Sequence, residues 1–384
     1  MDANGLDGMR ICLEREFSSI YVFNLRGNQR TSGELSRKEG GKIFGSGSRT
    51  PIAITILVKK PKAKEEKAHI FYRDIGNYLS REEKLRLIKG FGDISNPLMQ
   101  WQPIVPNEHG DWISSRSELF KLYTPLEPEK KFNPKSKSVF NGFSLGLGTN
   151  RDAWVYNSSL NSLRTNISKS IAFYNQQVDD YAKAKQQGGA IDDFLDDKRD
   201  SSKIVWTDTL VRDLQKGLKY DMDMSRFTIG SYRPYFKQNL YQDRILNHRV
   251  YQMPKLFPTP QHKNLVICVS GVGASKDFST LITDLIPCLD MVEKSQCFPL
   301  HWYDDSTSDI ADLFSAPKSE MDKYVRKDGV TDYILSTARK QYGSKVTKED
   351  IFYYVYGILH SPDYRTEFAD DLKKMLPRLP LVDA

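Results

Sequence analysis

Apolar residues near the N-terminus follow two different spacings. Over residues 8–19 they recur every three to four positions, which predicts an amphipathic helix. Short, nearly continuous apolar runs then occupy residues 20–25, 52–58 and 69–72, and their β-branched and aromatic content predicts three strands. A helix followed by such strands is typical of one half of an α/β sheet.

The apolar runs leave no polar face for water. Buried parallel strands have this composition, so we expect residues 1–80 to form an incomplete, Rossmann-like parallel sheet. Its apolar edges would be exposed or covered by a second domain. The polar, glycine-rich residues 26–48 would connect the first two strands as a long loop.

The remainder of the chain mixes short strands and helices. Ser80 and Glu83 form a capping-box pattern, which predicts a helix through Ile88 that ends at the glycines that follow. We place the domain boundary there, before an α+β domain over residues 81–384. Residues 95–150 predict loops with short strands. Further helices are predicted over 159–187, 208–219, 351–360 and 364–376, a strand over 265–270, and an exposed acidic segment over 192–200.

Composition restricts the class of protein. The 384 residues are 39% hydrophobic and 27% charged, and the mean hydropathy is −0.54. No apolar run approaches the roughly 18–20 residues of a membrane span, and the first residues do not resemble a secretory signal. The four cysteines include no Cys-x-x-Cys pair, which predicts reduced, mostly buried thiols in a cytoplasmic protein.

The net charge of +7 is unevenly distributed. Residues 1–80 carry 14 Lys and Arg against 9 Asp and Glu, and residues 230–265 carry 6 against 1. Residues 286–325 are acidic, with 3 Lys and Arg against 8 Asp and Glu. A mildly basic chain permits a polyanionic partner without requiring one, and chance clustering on a solvated surface is the alternative.

Several local patterns resemble reactive motifs without their full context. The glycines of residues 44–48 precede a strand, whereas a methyltransferase cofactor loop follows a strand and leads into a helix. Residues 271–276 lack the spacing of a P-loop, and residues 96–99 lack the second proline and the aromatic residue of an Asn-Pro-Pro-aromatic motif, so both predict turns. His301 and His360 lie beside aromatic residues and are expected to be packed in the core. We therefore expect no catalytic, cofactor-binding or metal-binding residue in this chain.

One stretch interleaves basic and aromatic residues. Between residues 232 and 255 the only acid is Asp243. Cations neutralise phosphates and planar rings stack on bases, so this composition favours nucleic-acid binding. An amphipathic surface over core tyrosines would have the same composition, and both interpretations stay open at this point.

Segments along almost the whole chain resemble the Type I single-polypeptide (Type ISP) restriction–modification enzymes. Gly-Met-Arg at 8–10, Ile-Tyr-Val-Phe-Asn-Leu-Arg-Gly-Asn at 20–28, Ile-Phe at 43–44 and the run at 53–58 are similar to late motifs of the N6-adenine methyltransferase domain. The segments similar to the target-recognition domain are Thr-Asn-Arg-Asp-Ala-Trp-Val-Tyr-Asn at 149–157, Tyr-Arg-Pro at 232–234, Cys-Phe-Pro-Leu at 297–300, Tyr-Gly-Ile-Leu-His-Ser-Pro-Asp-Tyr-Arg at 356–365 and Leu-Pro-Arg-Leu-Pro at 376–380.

This resemblance implies a division of roles. Residues 1–80 would be the C-terminal portion of an adenine-specific DNA methyltransferase domain, and residues 81–384 a DNA target-recognition domain. Methyl transfer requires a glycine-rich loop for S-adenosylmethionine and an Asn-Pro-Pro-aromatic motif for the flipped adenine, and this sequence has neither. We therefore expect a fragment that is inactive alone and has no affinity for S-adenosylmethionine, the cofactor of the complete enzyme.

The implied function is sequence-specific recognition of duplex DNA, which presents a target adenine for N6 methylation. Two alternatives remain: half of a split methyltransferase completed by another chain, and a protein-interaction module with little DNA contact. The expected partners are duplex DNA and the upstream methyltransferase, helicase and nuclease portion, either of the same enzyme or as a separate chain, without a membrane. The residues expected to contact DNA are Arg233, Lys237, Arg244, Arg249, Lys263, Asn150 and Arg151.

Two of these residues, Arg233 and Lys237, have restricted roles. Arg233 has a structural alternative, a buried ion pair with Asp152 or Asp243 that only fixes the fold. Lys237-Gln238 stands where many family members have an arginine, so phosphate contact is the role expected there and base reading is not.

Overall fold

The chain divides into two units between Arg116 and Ser117. The computed structural model describes residues 6–45, 47–60, 67–113, 116–128, 136–196, 200, 202–305 and 323–383. Both units combine helices with small sheets, so the predicted mixture of helix and sheet is confirmed.

The first unit is built on a mixed four-stranded sheet. Its strand order is β2-β1-β3-β4. The third strand is parallel to the first, whereas the second strand is antiparallel to the first and the fourth is antiparallel to the third. The elements are α1 (Asp7–Glu16), β1 (Ser19–Arg26), α2 (Gly33–Glu39), β2 (Ile52–Val58), β3 (His69–Asp74), α3 (Arg81–Phe91) and β4 (Gln102–Ile104).

The expectation of a parallel sheet is wrong for two of the three strand pairings. The three predicted strands do share one sheet, but the segment after β1 includes α2 and returns the chain beside β1 in the opposite direction. The run in β2 is not fully buried either. Ile54, Ile56 and Leu57 are 37–41% exposed, because β2 is an edge strand with a single neighbour in the sheet.

Residues 81–116 belong to the first unit, so the structural division is later than the boundary expected at residues 80 and 81. The predicted capping box is present, with Ser80 and Glu83 satisfying each other's backbone N–H groups. Phe91 of α3 then packs against Phe23 of β1. β4 pairs with β3 and extends the sheet, which keeps this segment in the first unit.

The second unit contains the remaining helices and strands. Its helices are α4 (Glu118–Leu122), α5 (Asp152–Val155), α6 (Leu160–Gln186), α7 (Ile191–Asp196), α8 (Asp208–Gln215), α9 (Met253–Leu256), α10 (Asp332–Tyr342), α11 (Lys348–His360), α12 (Pro362–Glu367) and α13 (Ala369–Lys374). Its strands are β5 (Thr124–Pro125), β6 (Ser144–Leu145), β7 (Tyr156–Asn157), β8 (Phe227–Arg233), β9 (Phe236–Tyr241), β10 (Val266–Val269), β11 (Thr280–Thr283), β12 (Ile286–Pro287), β13 (Gln296–Pro299), β14 (His301–Asp305), β15 (Tyr324–Asp328) and β16 (Arg378–Leu379).

Strand β10, predicted from its β-branched residues, separates two hydrophobic cores. It lies within the sheet β11-β10-β13-β6. The core on one face of the strand includes residues of α11, and the core on the other face includes residues of α6. Ile267 and Val269 belong to the first core, and Val266 and Cys268 to the second. A second sheet has the order β12-β8-β9-β7, and two further pairs are β14–β15 and β5–β16.

Helix predictions in the second unit hold to different extents. The long helix is confirmed as α6, with Ser159 as its N-cap. The helix predicted over 208–219 ends at Gln215, and Gly217 follows in a left-handed conformation with a φ of 72°. The helix predicted over 364–376 is split between α12 and α13 at Phe368. Residues 192–196 of the predicted acidic segment lie in α7, and residues 197–199 lie outside the described residues.

The cysteines differ in one respect from the expectation of mostly buried thiols. Cys12 is exposed, whereas Cys268, Cys288 and Cys297 are buried, and all four are free. Cys12 lies on an outward position of α1, where the apolar side chains beside it in sequence point elsewhere.

Candidate nucleic-acid interface

The basic and aromatic stretch forms the β8–β9 hairpin and the segment that follows it. Ser231 pairs with Lys237 and Arg233 with Phe236, which leaves Pro234 and Tyr235 as the turn. Tyr235 has a φ of 58° and is 93% exposed. The hairpin therefore presents an aromatic ring at its tip, two residues before an exposed lysine.

Arg233 is held against the fold. Its Nη2 lies 3.3 Å from a carboxylate oxygen of Asp152, and its Nη1 donates to the carbonyl of Tyr232 at 2.8 Å. The guanidinium carbon is 3.9 Å from the centroid of the Tyr232 ring. The structure thus favours the ion pair with Asp152 over one with Asp243, whose carboxylate accepts the backbone N–H of Ile245. The Arg233 side chain keeps 37% exposure, so part of it still faces solvent.

Four of the predicted basic residues are exposed and unpaired. Among the residues that the structure describes, the side chains of Lys237, Arg244, Arg249 and Lys263 make no ion pair or hydrogen bond. Such cations carry counterions in solution and can exchange them for phosphates without losing an internal contact. This group is called the basic set below.

Three members of the basic set lie on or beside one sheet. Lys237 is in β9, and Lys263 lines a shallow cleft with Ile229 of β8. Arg249 forms an antiparallel bridge with Gly148, and the residue before Gly148 bridges Cys288 at the end of β12. Asn150 follows two residues after Gly148. It is exposed and left-handed, with a φ of 54°.

Arg151 lies outside this exposed surface, so the structure gives no support to its predicted contact with DNA. It is 5% exposed, and its guanidinium donates to the carbonyls of Val205 and Leu246 and to the hydroxyl of Thr207 at 2.6–3.0 Å. Burial lowers the pKa of Arg151 to about 10. The hydroxyl of Thr149 accepts the Arg151 backbone N–H, so this part of the 149–157 signature holds the fold together.

The glycine-containing loop after β10 surrounds a carboxylate of the protein itself. Glu293 accepts the backbone N–H groups of Ser275 and Lys276 at 2.8 and 3.0 Å and the Ser275 hydroxyl at 3.1 Å. Burial opposes ionisation of Glu293, but these hydrogen bonds outweigh it and lower the pKa. The N–H groups that a bound phosphate would need are therefore occupied, and the predicted turn is confirmed.

The other motif-like segments also behave as structural elements. Asn96 accepts the N–H of Leu98 and caps the 3₁₀ turn Pro97–Met99, as predicted for a turn. The glycines of residues 44–48 lead into β2, which runs antiparallel to β1. Within the described residues of this segment, no helix follows, so it does not fit a methyltransferase cofactor loop.

The two histidines that were expected in the core differ from each other. The His301 side chain is 19% exposed, and burial, followed by the nearby Arg326, lowers its pKa. His360 is exposed, so the prediction is wrong for it. Its ring instead lies edge-on against Tyr356, with the centroids 4.6 Å apart.

Tyr235 at the hairpin tip is a candidate site residue that the sequence analysis did not include. Tyr235 was only one of several aromatic residues in the stretch, and it was not among the residues expected to contact DNA. The signal available in the sequence was its position directly after Pro234, since proline is common at the second position of a tight turn. The positive φ and the exposure of the ring are visible only in the structure.

The comparison with family models identifies the family of the chain. Residues 138–384 match the family model of the Type ISP C-terminal specificity domain. This match covers more than half of the chain, and the chain therefore belongs to the Type ISP family, as the motifs predicted. No curated protein matches the sequence.

Three solved structures are similar over nearly the whole chain. A nuclease-deletion mutant of the Type ISP restriction–modification enzyme LlaGI, in complex with a DNA substrate mimic, is 36% identical with a TM-score of 0.79 and covers 99% of this chain. The ATP-dependent Type ISP enzyme LlaBIII bound to DNA is 31% identical, with a TM-score of 0.81 and 100% coverage. The DrdV–DNA complex is 28% identical, with a TM-score of 0.80 and 98% coverage. The chain spans only 27%, 23% and 34% of the length of these proteins, respectively.

A membrane-spanning role finds no support in the helices. None of those in the described parts of the chain combines the length and apolar composition that crossing a bilayer requires.

Proposed function

We propose that this chain recognises a specific sequence of duplex DNA as the target-recognition part of a Type ISP enzyme. The observation that carries the proposal is the basic set, four exposed cations for which the described residues provide no ion-pair or hydrogen-bond partner. All four lie inside the segment that matches the specificity domain. The three similar structures are DNA complexes, which supports a DNA partner for this chain.

The members of the surface have different chemical roles. Lys237, Arg244, Arg249 and Lys263 would contact phosphates, which fixes the position of the protein on the duplex without reading its sequence. Asn150 carries an amide donor and acceptor, which suits the edge of an adenine. The part of Arg233 that stays exposed would add a further phosphate contact beside its ion pair with Asp152.

Salt-dependent binding tests this function. Filter binding of the chain to duplex DNA is expected to weaken steeply as salt rises, and each single alanine variant of the basic set should lower the salt slope by about one. The melting temperature should stay unchanged, because none of these side chains has an internal contact to lose. Lys340→Ala is the matched control, since Lys340 is exposed on α10, away in sequence from the basic set. Absence of salt-sensitive binding would instead favour a protein-interaction module.

We further propose that recognition presents a target adenine for N6 methylation. S-adenosylmethionine would supply the methyl group, and the residues that bind it would belong to a part of the enzyme outside this chain. The poor fit of residues 44–48 to a cofactor loop supports this assignment. Isothermal titration of the chain with S-adenosylmethionine is expected to show no micromolar binding, and a micromolar affinity would contradict the proposal.

We also propose that the first unit is the end of a Rossmann-like methyltransferase domain whose remainder pairs with β2. One edge of β2 has no neighbour in the described sheet, and Ile54 and Ile56 are exposed there. Both residues also line an open apolar cavity of about 340 Å³ together with Phe23 and Trp101. An uncovered apolar edge of this kind is suited to the addition of a strand. Co-purification with the part of LlaGI that precedes the aligned region, lost on Ile54→Lys, would support this pairing; unchanged co-purification would contradict it.

A further inference from the structure

The turn of the β8–β9 hairpin holds a tyrosine in a backbone conformation that tyrosine rarely adopts. Pro234 precedes Tyr235, and Tyr235 has a φ of 58°. Proline followed by a residue with positive φ is the pattern of a type II turn, in which glycine or asparagine normally holds the second of these positions. A large side chain in this left-handed conformation is a departure that often marks a functional position.

Packing of the Tyr235 side chain does not explain this unusual backbone conformation. It is 93% exposed, so it contributes almost nothing to a core. Phe236, the next residue, is 47% exposed, which adds apolar surface at the tip. The tip of the hairpin therefore presents the exposed Tyr235 ring next to the cation Lys237.

The strand residues directly before the turn are anchored, in contrast to the turn itself. The Tyr232 ring lies 4.8 Å from that of Tyr156 and 6.3 Å from that of Phe236, measured between centroids. Arg233 ties the same region to Asp152. Because the residues before the turn are already fixed, the exposed Tyr235 ring can bind a ligand without a large loss of conformational entropy.

We propose that the hairpin tip enters a groove of the bound duplex and that the Tyr235 ring stacks against a base at a step it helps to open. This rests on the DNA recognition proposed above. The basic set would hold phosphates of the duplex, a two-stranded ribbon fits a DNA groove, and apolar or aromatic side chains are the wedges that proteins insert between bases. Extraction of an adenine for chemistry requires unstacking, and a ring in the vacated space would oppose its return.

The test uses the full chain and a 30-bp duplex that the wild type selects from a random pool. Tyr235→Ala should weaken binding by about 5- to 150-fold, the range expected for one stacked ring, with no change in salt slope because the ring carries no charge. Tyr235→Phe keeps the ring and should bind within about twofold of the wild type. Tyr353→Ala is the matched control, because Tyr353 is 47% exposed on α11, outside the hairpin, and it should bind like the wild type.

Permanganate oxidation of unstacked thymines gives a second readout that a merely structural residue would not alter. The wild-type complex should contain a reactive thymine, and Tyr235→Ala should lose that reactivity at saturating protein. Wild-type binding and reactivity in Tyr235→Ala would overturn the stacking role while leaving DNA recognition in place. A lower salt slope in Tyr235→Ala would also overturn it, since that result assigns the loss to phosphate contacts. If the wild type selects no sequence and shows no salt-sensitive binding, the proposed function itself fails.

Discussion

Arg151→Ala separates a structural arginine from a DNA-contacting one. Arg151 is buried and donates to two backbone carbonyls, those of Val205 and Leu246, and to the Thr207 hydroxyl. No carboxylate contributes to its pKa, which burial lowers to about 10. The variant removes every one of these donors at once.

The expected cost follows from two opposing effects. Three acceptors left without a donor in the interior cost about 1–3 kcal/mol each. Removal of a desolvated cation recovers part of this, and the lowered pKa corresponds to about 3 kcal/mol at about 1.4 kcal/mol per pH unit. Taking the middle of the first range, Arg151→Ala should lower the free energy of unfolding by about 3 kcal/mol.

Urea unfolding measures this loss, and filter binding under native conditions measures DNA affinity in parallel. Lys340→Ala is the matched control, because Lys340 is exposed on α10 and makes no side-chain hydrogen bond among the described residues. The control should keep the stability of the wild type within about 0.5 kcal/mol. Wild-type stability for Arg151→Ala, together with weaker DNA binding and a lower salt slope, would refute the structural role and return Arg151 to the DNA-contacting surface.

Three further outcomes are expected. Tyr235→Asn should raise the free energy of unfolding by about 0.5–1 kcal/mol, because asparagine tolerates positive φ better than tyrosine; a lower melting temperature would contradict this. The pKa of His301 is lower in the folded state, so the folded state binds fewer protons than the unfolded chain. The free energy of unfolding should therefore be highest above the unfolded pKa of about 6.5 and fall as pH drops through the folded pKa. His301→Gln should weaken that dependence in urea titrations at pH 7.5 and 5.5, and an unchanged dependence would argue against it. Ile54→Lys should reduce aggregation of the isolated chain in light scattering, because lysine protects an exposed edge strand; increased scattering by a folded variant would count against an exposed β2 edge.

Elements with local signals could be predicted from the sequence. The Ser80–Glu83 capping box and the apolar runs of β1 and β2 depend on residues close to one another along the chain, and the structure contains all of them. The direction of β2 could not be predicted, because both a parallel and an antiparallel neighbour accept the same apolar run. That choice depends on how the segment containing α2 turns.

The same distinction applies to the candidate site. Exposure of Lys237 and Arg244 follows from a polar surface stretch, but the burial of Arg151 depends on carbonyls 54 and 95 residues away along the chain. No spacing in the sequence indicates such partners. Tyr235 is similar, since its positive φ comes from the two-residue turn that the pairing of Arg233 with Phe236 imposes.

The central claim is that the basic set binds the phosphates of duplex DNA, and its salt slope tests this most directly. The four phosphate contacts of the basic set should contribute about −3.6 to the slope of log K against log salt concentration. Simultaneous replacement of Lys237, Arg244, Arg249 and Lys263 by alanine should remove most of this slope without lowering the melting temperature. A wild-type affinity that does not change with salt, or a quadruple variant that keeps the wild-type slope, would contradict the assignment of this surface to DNA.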